Sequence, residues 1–207
     1  MATRSTAPRP RASLRERKKL ATRQALGAAA LRLAAERGLD NVLVEDIAAA
    51  ANVSPRTFNN YFSSKPEAIC ALGMDRAAQI GATLRGRPAS EPLWEAITRA
   101  VLQHYDATGD TPAGEWLRGL RRVLTSPALQ GEYLKVNAAM QRTLAEAIAD
   151  RAGTSTERDM LPMISAGAVT AATQVALQRW LDADPPAPLH PLLRRALQQL
   201  ASAFKPT

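Results

Sequence analysis

A single cysteine, Cys70, excludes any internal disulfide, so stability has to come from an ordinary buried core. Histidine is almost as scarce. His104 and His190 have no partners at metal-ligand spacing, and neither a metal nor another cofactor is expected. Proline and glycine punctuate the chain without forming repeats, and no segment sustains the alternation of a strand. Catalytic signatures are also missing: there is no G-x-S-x-G, no H-E-x-x-H, no phosphate-binding loop and no dinucleotide fingerprint, so catalysis has no candidate residues. Charge is absent from Met160 to Gln178, yet that stretch is mostly Ala, Thr, Ser, Gly and Gln. It is too polar for a membrane span and reads as a helix buried between other helices. No leader pattern precedes residue 30, and Pro8 and Pro10 oppose an amphipathic transit helix, which together with the lone thiol fits a cytoplasmic protein.

What is present is unevenly distributed. Of the net charge of +8, residues 1–65 carry +7, with 12 Lys/Arg against 5 Asp/Glu; the remainder is nearly neutral. A basic excess confined to one segment marks the place where a polyanion is met, either nucleic acid or an anionic membrane. At 207 residues and 46% hydrophobic composition, the chain can build one large or two small cores.

Residues 1–12 lack hydrophobic period and read as a flexible basic arm. From Ser13 as a cap, the run from Leu14 to Arg37 predicts a long helix stopped by Gly38. A short helix from Val44 to Ala51 follows, then a turn at Asn52, a residue that tolerates left-handed backbone. Ser54-Pro55 opens another helix to about Tyr61, serine capping the free N–H groups and proline suiting the first position. Ser63 or Ser64 with Pro66 repeats the device and starts a helix to about Leu84. Beyond Gly86 and Pro88, amphipathic stretches predict helices over about 92–108, 112–125, 128–151, 156–182 and 189–204, making the protein all-α.

Two short helices joined by a tight turn form a helix-turn-helix pattern. Val44, Ile47, Ala48, Val53, Phe58 and Phe62 are its inward set, and Arg56, Thr57, Asn59, Asn60 and Tyr61 make the outer face. Arg and Asn suit guanine and adenine edges, Thr a thymine methyl, and Tyr a phosphate. Lys65, beside a helix N-terminus, and the basic residues Arg11, Arg15, Arg17, Lys18, Lys19 and Arg23 are candidate phosphate contacts. Ordinary packing helices of a bundle are the plain alternative.

The run LRLAAERGLDNVLVEDIAAAANVSPRTFNNYFSSKPEAI resembles the TetR (tetracycline-repressor) family of bacterial regulators. The resemblance rests on the helix ending AERG, the V-x-D-I-A helix, the VS-P-R-T-F turn entry and the Y-F-x-S-K exit. It implies a homodimer, a recognition helix at Ser54–Tyr61 (with Ser54 and Pro55 in the DNA-binding set), a ligand cavity in the C-terminal part and dimer contacts from the last two long helices. Val42 and Leu43 stand where the family has a capping Thr or Ser, Asn52 replaces a turn glycine, Ala34 replaces an aromatic, and Gly27 costs its helix ~1 kcal/mol relative to Ala, so a loosely filled core is expected there. The C-terminal part is similar to members of the mycofactocin-regulator type, some thought to sense acyl-coenzyme A or other lipophilic molecules.

The expected organisation is thus an arm over 1–12, a helix-turn-helix domain over 13–65, and a helical ligand-binding and dimerisation domain over 66–207. Trp94, Trp116, Tyr133, Met140 and Trp180 are the candidate pocket residues, since ligand sites in bundles favour aromatic walls, although core packing asks for the same residues. Expected partners are double-stranded DNA with a near-palindromic operator, a small-molecule effector and a second copy of the chain, with no membrane; the protein would sit on the nucleoid when operator-bound. Two alternatives stand beside this repressor reading: a constitutive, sequence-tolerant DNA-packaging protein, and a carrier or enzyme for a lipophilic molecule. Cys70 is expected to be a buried apolar residue, with redox sensing as the rival role.

Overall fold

Helix-forming composition cut by capped serines and prolines yields helices throughout. The computed structural model describes residues 14–105, 114–184 and 187–203 and contains, among the described residues, helices and no strand. The basic arm, Arg11, the cap proposed at Ser13 and the ends expected near Thr108, Pro112 and Phe204 lie outside the described residues.

The helices are α1 (Leu14–Arg37), α2 (Val44–Ala50), α3 (Pro55–Tyr61), α4 (Lys65–Gly86), α5 (Leu93–Gln103), α6 (Gly114–Leu124), α7 (Pro127–Ala152), α8 (Leu161–Leu181) and α9 (Leu189–Ala203), with a 3₁₀ turn at Leu39–Asn41. Gly38 ends α1 at φ 86°, and Asn52 sits at φ 55° between α2 and α3, the left-handed turn its side chain tolerates. Ser54, Ser64 and Ser126 each cap a helix that has proline in its first turn. The start expected for α8 near Thr156 is too early. Ser155–Asp159 form a turn, in which Ser155 N–H donates to Asp159 Oδ2 at 2.9 Å, and the helix begins only at Leu161, with Pro162 in its first turn.

α1 packs on α2, α4 and α6, and the core beneath the helix-turn-helix is built from Leu26, Leu33, Ile47, Phe58 and Phe62. α1 to α3 do not close that core alone: Ala68, Ile69, Val123 and Leu129, from α4, α6 and α7, complete it. The small residues of α1 are matched by close helix approach rather than by a void. A Cβ at Gly27 would lie 2.7 Å from the Ala68 carbonyl oxygen, and one at Gly119 of α6 only 1.9 Å from that of Ala35. Ala34 is itself fully packed, at 1% exposure.

A second core joins α4, α5, α7, α8 and α9 through Leu84, Ile97, Ile148, Val169 and Leu193. At the end of α7, the Arg151 guanidinium donates to the carbonyls of Arg87, Pro88 and Glu91 and fixes the α4–α5 connection. α4 contributes to both cores and so links the helix-turn-helix end mechanically to the bundle.

α8 is not fully enclosed as its uncharged sequence predicts. Ser165, Ala166, Val169, Ala176 and Trp180 are buried, but Leu161, Ile164, Ala171 and Val175 lie outside, with Val175 54% exposed. Gly167 has open space where a Cβ would project. No helix among the described residues is long and apolar enough to cross a membrane.

Candidate nucleic-acid interface and effector cavity

α3 is anchored by two rings. Phe58 and Phe62 are 1% and 3% exposed and meet at 5.7 Å between centroids, which fixes the rotation of the helix about its axis. That rotation turns Arg56, Asn59 and Asn60, one helical turn apart, outward together. Thr57 and Tyr61 are half-buried. The Thr57 amide donates to the Ser54 hydroxyl at 3.2 Å, the two hydroxyls lie 3.0 Å apart, and the Tyr61 ring leans on Phe62. Ser54 and Pro55 remain exposed at the helix entrance. With Leu43 at the cap position of α2 no side chain caps from outside, but Asp46 reaches back to accept from the Leu43 N–H at 3.1 Å.

Arg15 and Lys19 are exposed on the first turns of α1, beside Arg17 and Lys18. The other two candidate phosphate contacts have different roles. The Lys65 ammonium donates to the carbonyls of Leu39 and Val42 at 2.7 and 2.8 Å and so holds the α1–α2 connection against α4. Arg23 is ion-paired with Asp75 of α4, and its guanidinium lies 5.6 Å from the centre of the Phe62 ring. Both cations are therefore engaged between elements of the fold. Sequence reasoning missed this because the acceptors are 23 to 52 residues away along the chain.

The bundle forms a partly open cavity of about 750 Å³ between α1 and the helices from α4 onward. Four expected residues, Trp116, Tyr133, Met140 and Trp180, line it. Trp94 does not: it sits on α5, partly buried against the second core. Tyr133 donates to Asn137 Oδ1 at 3.0 Å and accepts from Gln174 Nε2 at 2.5 Å; burial pushes its phenol above the ordinary tyrosine range. Cys70 is in the wall, 8% exposed, and burial, with the Glu132 charge adding to it, pushes its thiol up to about 11. A thiol so buried and so firmly protonated makes a poor redox sensor.

Sequence reasoning did not single out two further wall residues, Arg76 and Tyr105. The Arg76 guanidinium stacks 4.4 Å from the Tyr105 ring centre. Beside them His104 Nε2 lies 2.7 Å from the Thr83 hydroxyl, and burial, with the Arg76 charge, holds the imidazole below the ordinary histidine value and hence neutral. The signal was a lone arginine at the apolar middle of α4, visible only once α4 was known to face a cavity. A smaller recess of about 390 Å³ shares Leu31, Leu72, Arg76, His104 and Trp116 with the cavity and is also lined by Gln24 and Asp75, so it reaches the Arg23–Asp75 ion pair.

Comparison with known proteins agrees at both ends of the chain. The family described as bacterial regulatory proteins, tetR family, matches residues 26–67, and the MftR C-terminal domain matches residues 91–205. The HTH-type transcriptional regulator TcmR of Streptomyces glaucescens is 35% identical over 184 residues, covering 86% of this chain and 80% of that protein. A Mycobacterium tuberculosis protein, provisionally assigned as the mycofactocin biosynthesis transcriptional regulator MftR, is 27% identical over 152 residues, or 73% of this chain and 76% of its own length. Among solved structures, Thermus thermophilus FadR, a TetR-family repressor in complex with lauroyl-CoA, superposes with a TM-score of 0.52 over 89% of this chain and 96% of its own, at 22% identity.

Proposed function

The chain belongs to the TetR family of bacterial transcriptional regulators, and from that premise we propose that it is a repressor that reads a near-palindromic operator as a two-fold dimer and releases it on binding a small lipophilic or acyl-type effector. Its parts are the arm over 1–12, the reading domain over 13–65 and the effector and dimerisation domain over 66–207. The observation that carries the reading is the outer face of α3, where Arg56, Asn59 and Asn60 stand together and exposed behind an Asn52–Ser54–Pro55 turn. Two such helices fit successive major grooves about 34–36 Å apart. Arg15 and Lys19, with the arm, steer and hold the phosphates, and Thr57 and Tyr61 flank the base-reading residues.

The open apolar row on α8 supports a contact with a second copy, and the cavity walled by Trp116, Tyr133, Met140 and Trp180 supports an effector site. α4 is the natural lever, since it lines the cavity and is tied to α1 by the Arg23–Asp75 pair. A coupling of about 1–3 kcal/mol changes DNA affinity by roughly 5- to 150-fold, enough for a switch.

The test compares three proteins on the tightest duplex from a random pool and on its scrambled version: the full chain, Arg56→Ala/Asn60→Ala, and a chain lacking residues 1–12. A sequence reader loses its preference in the double variant, whereas loss of the arm weakens both duplexes alike and reduces the salt dependence. If the double variant binds undiminished and arm removal abolishes binding, the protein packages DNA and does not read operators.

A further inference from the structure

Resting on the reading of the cavity as the effector site, we infer that the effector is an apolar, ring-bearing molecule with a single acidic group, and that Arg76 holds that group. Among the described residues lining the cavity, Arg76 is the one formal charge at neutral pH, and no carboxylate faces it. A cationic ligand would be buried there uncompensated, which is strongly unfavourable; an anion would satisfy a cation that the cavity already holds.

The geometry of Arg76 favours a carboxylate. Arg76 Cζ lies over the Tyr105 ring, 4.4 Å from its centre, a contact with the π face that consumes no conventional acceptor and so leaves guanidinium N–H groups for a ligand. Among the described residues, no carboxylate or carbonyl is bonded to those groups. Asp75, its neighbour in sequence, pairs with Arg23 through Oδ1; its Oδ2 is buried without a hydrogen-bond partner and lines the smaller recess, not the main cavity, where Arg76 stands without a carboxylate among the described lining residues. His104, neutral and close to Arg76, adds no competing charge.

Among the other polar groups of the described wall, Tyr133 and Gln174 are occupied with each other. Tyr133 gives its hydrogen to Asn137 and receives one from Gln174, so this side satisfies itself and offers a ligand little. Trp180 Nε1, buried in the wall without a hydrogen-bond partner among the described residues, can donate to an uncharged acceptor, so it is the charged group of the ligand that belongs at the Arg76 end. The rest of the molecule meets Tyr105, Trp116 and Trp180, walls that favour flat rings. One cation cannot compensate the several phosphates of a coenzyme A head, so the chemistry fits a free monoacid better than its thioester. Because the smaller recess joins Arg76 to the Asp75 side of α4, an acid captured there sits next to the ion pair that ties α4 to α1.

A matched series tests the inference on the full chain: 1-pyrenebutanoate, 1-pyrenebutanol and 1-pyrenebutylamine share one tetracyclic body and differ only in the head group. Binding is read by energy transfer from the wall tryptophans to pyrene. The acid is expected to bind at least about tenfold more tightly than the alcohol, with the amine weakest, as a charge-assisted contact in an apolar site requires. Arg76→Met should bring the acid to the level of the alcohol while leaving the alcohol within about twofold, and Arg76→Lys should retain part of the preference. The ranking on the unaltered protein stands even if a variant fails to fold. Equal affinity for acid and alcohol, or an acid preference that survives in folded Arg76→Met, overturns the inference and leaves the cavity as an effector site. Failure of all three compounds to bind overturns the cavity reading, and the inference with it.

Discussion

Lys65 and Arg56 are both cations of the basic first third of the chain, yet their surroundings differ. Arg56 is exposed with its helix rotation fixed by Phe58, whereas Lys65 is spent on two backbone carbonyls of the α1–α2 connection. Lys65→Met should therefore destabilise the fold by about 1.5–3 kcal/mol, the range for hydrogen bonds to a charged group. Urea unfolding measures this; an unchanged midpoint together with a salt slope reduced by about one on DNA would return Lys65 to the phosphate-binding set. At this scale the sequence was legible where partners are local. Ser54, Pro55 and Asn52 declare their roles within a few residues, because caps and left-handed turns are made by near neighbours. The internal contacts of Arg23, Lys65, Arg76 and Trp94 were not legible, because they join elements distant in sequence.

Helix boundaries were legible for the same reason, and α3 and α4 begin where caps and prolines announce them. α8 was the exception: the turn at Ser155–Asp159 looks helix-compatible in composition, and the better signal was Pro162, placed as a first-turn proline. The entrance to α4 also carries a pH dependence. The Glu67 carboxylate accepts from the Ser63 N–H and hydroxyl at 2.7 and 2.6 Å, which holds it below the ordinary glutamate range. A depressed carboxyl stabilises the fold above its unfolded pKa, about 4.3, and loses that contribution as pH falls through its folded value. Between about pH 5 and 3 the unaltered chain should thus lose more stability than Glu67→Gln. Parallel acid limbs in urea titrations would show that the Ser63–Glu67 pairing contributes nothing.

At the scale of the whole molecule, charge asymmetry located the polyanion-facing third, and the all-α class followed from the lack of strand alternation. The cavity was legible only as a set of large side chains, because its wall is assembled from helices spread along most of the chain. The exposed row of α8 ties the reading to oligomeric state. Ile164→Glu/Ala171→Glu places charges on that row away from the residues of the helix that line the cavity, and it should give a folded monomer in sedimentation that binds one half-site weakly. A variant that stays dimeric would move the subunit contact elsewhere. The central claim, a dimeric reader of a defined operator, is tested most directly by selection from random duplexes with the purified full chain at physiological salt, followed by titration of the winner against scrambled DNA. The account predicts an inverted repeat bound at least about 10³-fold more tightly than scrambled DNA. Equal binding to every duplex, with no enriched sequence, would contradict it.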